Sequence, residues 1–221
     1  MSTRQRIEIT AACGGAFFTI VVLVAFLIDR RPSSSAGVDV VTYYATHAGK
    51  ALTADILIGI GAAFFILFAE TFARRMGSVA GLVGAAATIA PYFVAIGCWE
   101  TLAESYRGVD LVDVPRESYD NAHVIYVVGV GSEHMGHFAA AAFIAATAAA
   151  LFGTPARKVA WLGIAIAVFR LGTAVLELAT NSDWSDAVVA LGFVSFLVWT
   201  FAASATLAVT LRRGYSGEHS S

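Results

Sequence analysis

Charge is scarce in this chain. Of its 221 residues only 14% are Asp, Glu, Lys or Arg, against about a quarter in an ordinary soluble domain. That shortage excludes a water-solvated globule. Basic excess is missing too. Fourteen Lys and Arg stand against 16 Asp and Glu, which leaves no electrostatic footprint for nucleic acid. Cysteine occurs twice, at Cys13 and Cys98, and never as a Cys-x-x-Cys pair. No glycine-rich phosphate loop or nucleophile elbow is present. These absences remove thiol oxidoreductases and nucleotide-driven pumps.

Apolar residues are abundant instead, 58% of the chain with a mean hydropathy of +0.73, and they gather into long blocks. A bilayer core of roughly 30 Å takes about 20 apolar residues in a helix. Residues 9–28, 51–73, 78–98, 124–152, 159–178 and 187–211 meet that length. Transmembrane strands would instead alternate apolar and polar residues over short segments. The runs GIGAAFF, GLVGAAAT and FAAAAFIAATAAA supply small residues that let helices approach closely. The expected fold is all-α: a polytopic transmembrane helical bundle of six spans forming one membrane domain over residues 1–221.

Lys and Arg in the short flanks set the orientation. Arg4 and Arg6, Arg74 and Arg75, Arg157 and Lys158, and Arg212 and Arg213 all fall on one side by parity. This predicts both termini on the cytoplasmic side of the membrane. The outer loops are then residues 29–50 and 99–123. The first span carries no small-residue cleavage site after its apolar run and is read as an uncleaved anchor. Cys13 and Cys98 fall at opposite ends of their spans, so no disulfide is expected between them. In the first outer loop, Val38, Val41, Tyr44 and Ala45 recur at helical spacing. They predict a short interfacial helix before the second span. The second outer loop is acidic and is read as solvated. Trp99, Trp161 and Trp184 read as interface anchors. Glu70 should pair with Arg74 one turn on, and Asp183 and Asp186 should cap the last helix.

The stretch VVTYYATHAGKALTADILIGIGAAFFILFAETFARRMG, with FGTPARKVAWLGIAIAVFRLG before the fifth span, resembles a group of bacterial six-span integral membrane proteins labelled only as a domain of unknown function. The resemblance implies the six-span architecture and no activity.

Ionisable side chains at membrane depth cost at least about 2.5–3.5 kcal/mol near the centre and therefore mark functional candidates. Arg170 stands 12 residues past Lys158, roughly 18 Å in at 1.5 Å per residue. It calls for a carboxylate from a neighbouring helix, with Glu100, Glu104 and Asp55 as candidates. Glu177 is two turns along the same face. The densest cluster is Ser132-Glu133-His134-Met135-Gly136-His137, in which Glu133, His134 and His137 share an arc of about 100°. Glycines at 129, 131 and 136 bracket it, so the long fourth apolar block is expected to project outward or break there. Glu133, His134, His137, Arg170, Glu177, Glu100 and Glu104 would then meet in an outward-facing pocket.

Two histidines at i, i+3 with a carboxylate suit a divalent metal such as zinc, with Glu133 and His137 as candidate catalytic groups. Arg170, Glu177, Glu100 and Glu104 would bind a ligand. The functional reading is an ion or small-molecule transporter, or a membrane-embedded metal-dependent enzyme. The alternative is a non-catalytic membrane subunit whose polar residues only join helices, with another membrane protein or a second copy as partner.

Overall fold

Helix follows wherever the apolar blocks run. The computed structural model describes residues 2–32, 34–179 and 183–217, and every regular element among them is helical. The order is α1 (Thr3–Ala12), α2 (Gly14–Ile28), α3 (Gly37–Met76), α4 (Val79–Tyr106), a 3-10 turn (Leu111–Asp113), α5 (Arg116–Leu151), α6 (Arg157–Ala179) and α7 (Asp183–Gly217). Five of these are long and apolar enough to cross a membrane, and the bent pair α1–α2 makes up to six if counted as one span. Only 33–50% of the most apolar window of each of the five is buried. Ile56, Val83, Phe93, Val168 and Val198 lie exposed on these helices, as expected of helices whose solvent is lipid.

Three helical boundaries differ from the sequence reading. The first block is two helices meeting at 41° around Cys13. The break follows from Gly14 and Gly15, which bring the backbone against its neighbours. A β-carbon on Gly14 would overlap the Phe64 carbonyl, and one on Gly15 would lie 2.9 Å from Ser204 Cβ. Ser204 serves the broken ladder: its hydroxyl donates to the Ala12 carbonyl at 2.5 Å and accepts from Ala16 N–H at 3.1 Å.

The interfacial helix expected near residue 38 is not separate. It continues into the second span as one 40-residue helix, about 60 Å long. Gly49, the one glycine at the junction, has open space around it and leaves the ladder unbroken. Likewise α5 runs 36 residues without a break at Gly129, Gly131 or Gly136. Gly129 receives a neighbour rather than bends the helix, as shown below, and Gly131 has open space around it.

The chain divides into two compact units. The first comprises residues 1–20, 61–88 and 137–221. Its core is aromatic: Phe18, Phe65, Phe143 and Phe196 meet edge-on or tilted, with centroids 5.0–6.0 Å apart. Small residues admit the larger ones, and a β-carbon on Gly163 would stand 2.7 Å from Trp199. Buried Glu8 is held by Arg75 and, at 3.6 Å, by Arg4. Glu70 and Arg74 form the expected pair at 3.6 Å.

The second unit comprises residues 21–60 and 89–136. Its core joins Val40, Val41, Tyr44, Ala48 and Ala51 of α3 to Ala95, Ile96, Trp99, Leu102 and Tyr106 of α4, and to Ala122 and Tyr126 of α5. The α3 stripe steps by three or four residues, and its next member is Asp55. The helical period that buries alanine at 48 and 51 therefore buries a carboxylate at 55.

Candidate functional site: an arginine between two buried carboxylates

The linker after α2 carries Asp29-Arg30-Arg31-Pro32. Arg31 turns inward. Its Nη2 donates to Asp55 Oδ1, and its Nε lies 3.5 Å from Asp29 Oδ2. The guanidinium stacks over Trp99 with Cζ 3.3 Å from the ring centroid, a cation–π contact strengthened by exclusion of water. Asp55 is 1% exposed, Trp99 4% and Asp29 7%. Isolated charges at such burial would be prohibitively costly, so the pairing is what allows them to be ionised at all.

Neighbouring elements fix the linker. Tyr43 of α3 donates its hydroxyl to Asp29 Oδ1, and Tyr126 of α5 donates to the Pro32 carbonyl. His123 Nδ1 lies 2.6 Å from the Ser35 carbonyl. Gly37 admits the Tyr119 backbone where a β-carbon would overlap it. On α5, Gly129 faces Trp99, and a β-carbon there would lie 2.7 Å from the indole Nε1. That glycine makes room for the ring under Arg31.

Charge does not balance within the cluster. Asp29 and Asp55 together carry two negative charges when ionised, and Arg31 one positive. Glu100, half-buried beside Trp99 on α4, adds to the negative field at Asp55. Burial pushes the Asp29 carboxyl above its ordinary range, while Arg31, His47 and Lys50 pull against it. Asp29 Oδ2 and Asp55 Oδ2 are buried without a hydrogen-bond partner among the described residues, as are Tyr44 Oη and Trp99 Nε1. Buried polar atoms are almost always satisfied, so four in one cluster set it apart from the rest of the core.

Asp29 also stands at the wall of a cleft, its side chain 2% exposed. With Arg30, Tyr43, His47 and Lys50 it lines an open cleft of about 240 Å³. Tyr43 and His47 stack there with centroids 5.0 Å apart and planes at 10°.

The residues expected to form one pocket are divided. Glu133, His134, Glu100 and Glu104 belong to the second unit, and His137, Arg170 and Glu177 to the first. Asp55, one expected partner of Arg170, is taken by Arg31. Glu104 is exposed and Glu100 half-buried, and neither forms an ion pair among the described residues. Arg170 is fully buried, with Phe193 at 5.8 Å and Gly192 close against it. His137 is 3% exposed, whereas Glu133 and His134 are half-buried. Among the described residues no three His, Cys, Asp or Glu are placed to hold a metal ion. The side chains of Glu177, Asp183, Trp184 and Asp186 lie outside the described ones. Both cysteines are free thiols.

Sequence reading missed Arg31 and Asp29, which look like ordinary flanking charges after a span, and it took Trp99 for an interface anchor. A signal did exist: Asp55 continues the Tyr44–Ala48–Ala51 stripe, and a carboxylate on a core stripe requires a buried cation. No family model, no curated protein and no solved structure matches this chain.

Proposed function

We propose that this chain is a multi-pass protein of the bacterial cytoplasmic membrane, six-spanning with both termini inside, that binds a small positively charged species at Asp29 and Asp55. The observation carrying this reading is the placement of two buried carboxylates around a single guanidinium. Such a cluster inside an apolar fold is a functional mark by default. It favours an ion-linked carrier over the zinc-dependent enzyme, for which no three ligand-type residues stand together among the described residues.

The test is a ligand panel read by thermal unfolding of the detergent-purified chain. Buffers at several pH values, sodium, potassium, magnesium, calcium and small organic amines are compared. A species that binds the folded state raises the midpoint with concentration. The reading expects one member of the panel to do so in the wild type and not in Asp29→Asn. A cluster that only joins helices would leave the midpoint unmoved by every metal cation and amine of the panel, while Asp29→Asn still unfolded early.

A further inference from the structure

Resting on that reading of the acidic cluster, we propose that the bound species is a single proton, taken up by Asp29 from the cleft that Tyr43, His47 and Lys50 line with it. The number of available oxygens decides against a metal cation. Of the four carboxylate oxygens, Asp29 Oδ1 already accepts from Tyr43 and Asp55 Oδ1 from Arg31. Asp29 Oδ2 and Asp55 Oδ2 remain, the first facing Arg31 Nε at 3.5 Å. Calcium and magnesium take about six or more oxygen ligands, and any such ion here would sit against a guanidinium. A proton needs one oxygen and no coordination shell.

Charge then closes. With Asp29 protonated, Arg31 and Asp55 form a neutral pair and the cluster carries no net charge. The proton leaves a hydronium ion in the cleft, forms an O–H bond on the Asp29 carboxylate, and releases water. Asp29 is the receiving group because it lines the cleft, its side chain 2% exposed, whereas the fully buried Asp55 side chain does not line it. The charged groups that act on Asp29 are Arg31, His47 and Lys50. Those acting on Asp55 are Arg31, Asp29 and Glu100. Tyr44 and Tyr126 complete the surroundings as neutral phenols. Burial, the largest influence on Asp29, favours its neutral form. Because the two carboxylates share one guanidinium, they titrate as a coupled pair.

Trp99 reports the event directly. Neutralising Asp29 leaves Arg31 facing Asp55 alone, which changes the charge felt by the indole beneath it. The experiment is a pH titration of tryptophan emission on the full chain in detergent, in sodium chloride and again in choline chloride at equal ionic strength. The expected result is a one-proton transition, identical in both salts, lost in Trp99→Phe and in Asp29→Asn. Asp29→Glu keeps a carboxyl and should retain the transition with a displaced midpoint, which guards against a misfolded asparagine variant. A transition that shifts with sodium would overturn the proton in favour of a metal cation while leaving the ion site standing. A transition that survives Asp29→Asn would overturn the assignment to Asp29. No response to either pH or salt would remove the proton and the ion-site reading together.

Discussion

Trp99 and Gly129 pack as a matched pair: a β-carbon on the glycine would stand 2.7 Å from the indole nitrogen and 3.3 Å from the ring carbon beside it. Neither residue is conspicuous alone. Together they set how closely α4 and α5 approach and hold the indole where Arg31 covers it at 3.3 Å.

Gly129→Ala should therefore destabilise the protein although alanine is the better helix former. Overpacking at a filled site costs about 1–3 kcal/mol, which outweighs the helical gain of about 1 kcal/mol. Gly131→Ala, two residues on with nothing within 4 Å of its β-carbon, should keep the gain and lose nothing. Thermal unfolding of the two variants side by side should show opposite signs. Equal shifts would mean that Trp99 moves aside freely.

Removing Arg31 should be severe for a different reason. Arg31→Ala leaves two buried carboxylates without a counter-charge, and breaking a buried pair from one side typically costs about 3–5 kcal/mol. Asp55→Asn in the same chain removes one of the stranded charges, so the double variant should be more stable than Arg31→Ala alone. A double-mutant cycle by denaturant or heat measures this, and additive losses would show that the pair is not coupled.

The membrane character of the fold was legible, because twenty consecutive apolar residues have few other uses. Helix ends were less so. The apolar blocks mark where lipid begins, but nothing obliges a helix to stop at that boundary. Hence α3 starts at Gly37 rather than near residue 51. The site was read least well. Glu133, His134 and His137 drew attention because they are adjacent in sequence. Arg31 and Asp55 lie 24 positions apart on elements whose pairing no local pattern reveals. Glu8 and Arg75, 67 positions apart, were hidden in the same way.

Ser204 offers a test of the break after α1. Its hydroxyl is fully buried and satisfies one carbonyl and one N–H released by the bend. Ser204→Ala takes a donor from the Ala12 carbonyl and leaves Ala16 N–H only its bond to the Cys13 carbonyl, at about 1–3 kcal/mol. Hydrogen exchange should show the amide of Ala16 losing protection first, with α7 amides around residue 204 little changed. Uniform loss across both segments would mean that the serine supports general packing rather than the bend.

Stability should also carry the signature of Asp29. Its carboxyl is held above the usual carboxylate value of 3.8, chiefly by burial. A group with a raised folded pKa binds its proton more tightly when folded, so its contribution is complete below the unfolded value. That contribution is lost as pH rises through the folded one. The melting midpoint should thus fall as pH climbs above about 3.8 and level off once Asp29 is ionised in both states. Asp29→Asn has no proton to lose and should flatten that part of the profile, whatever its absolute stability. A wild-type profile that instead rises through the same window would mean that Arg31, not desolvation, governs the ionisation of Asp29.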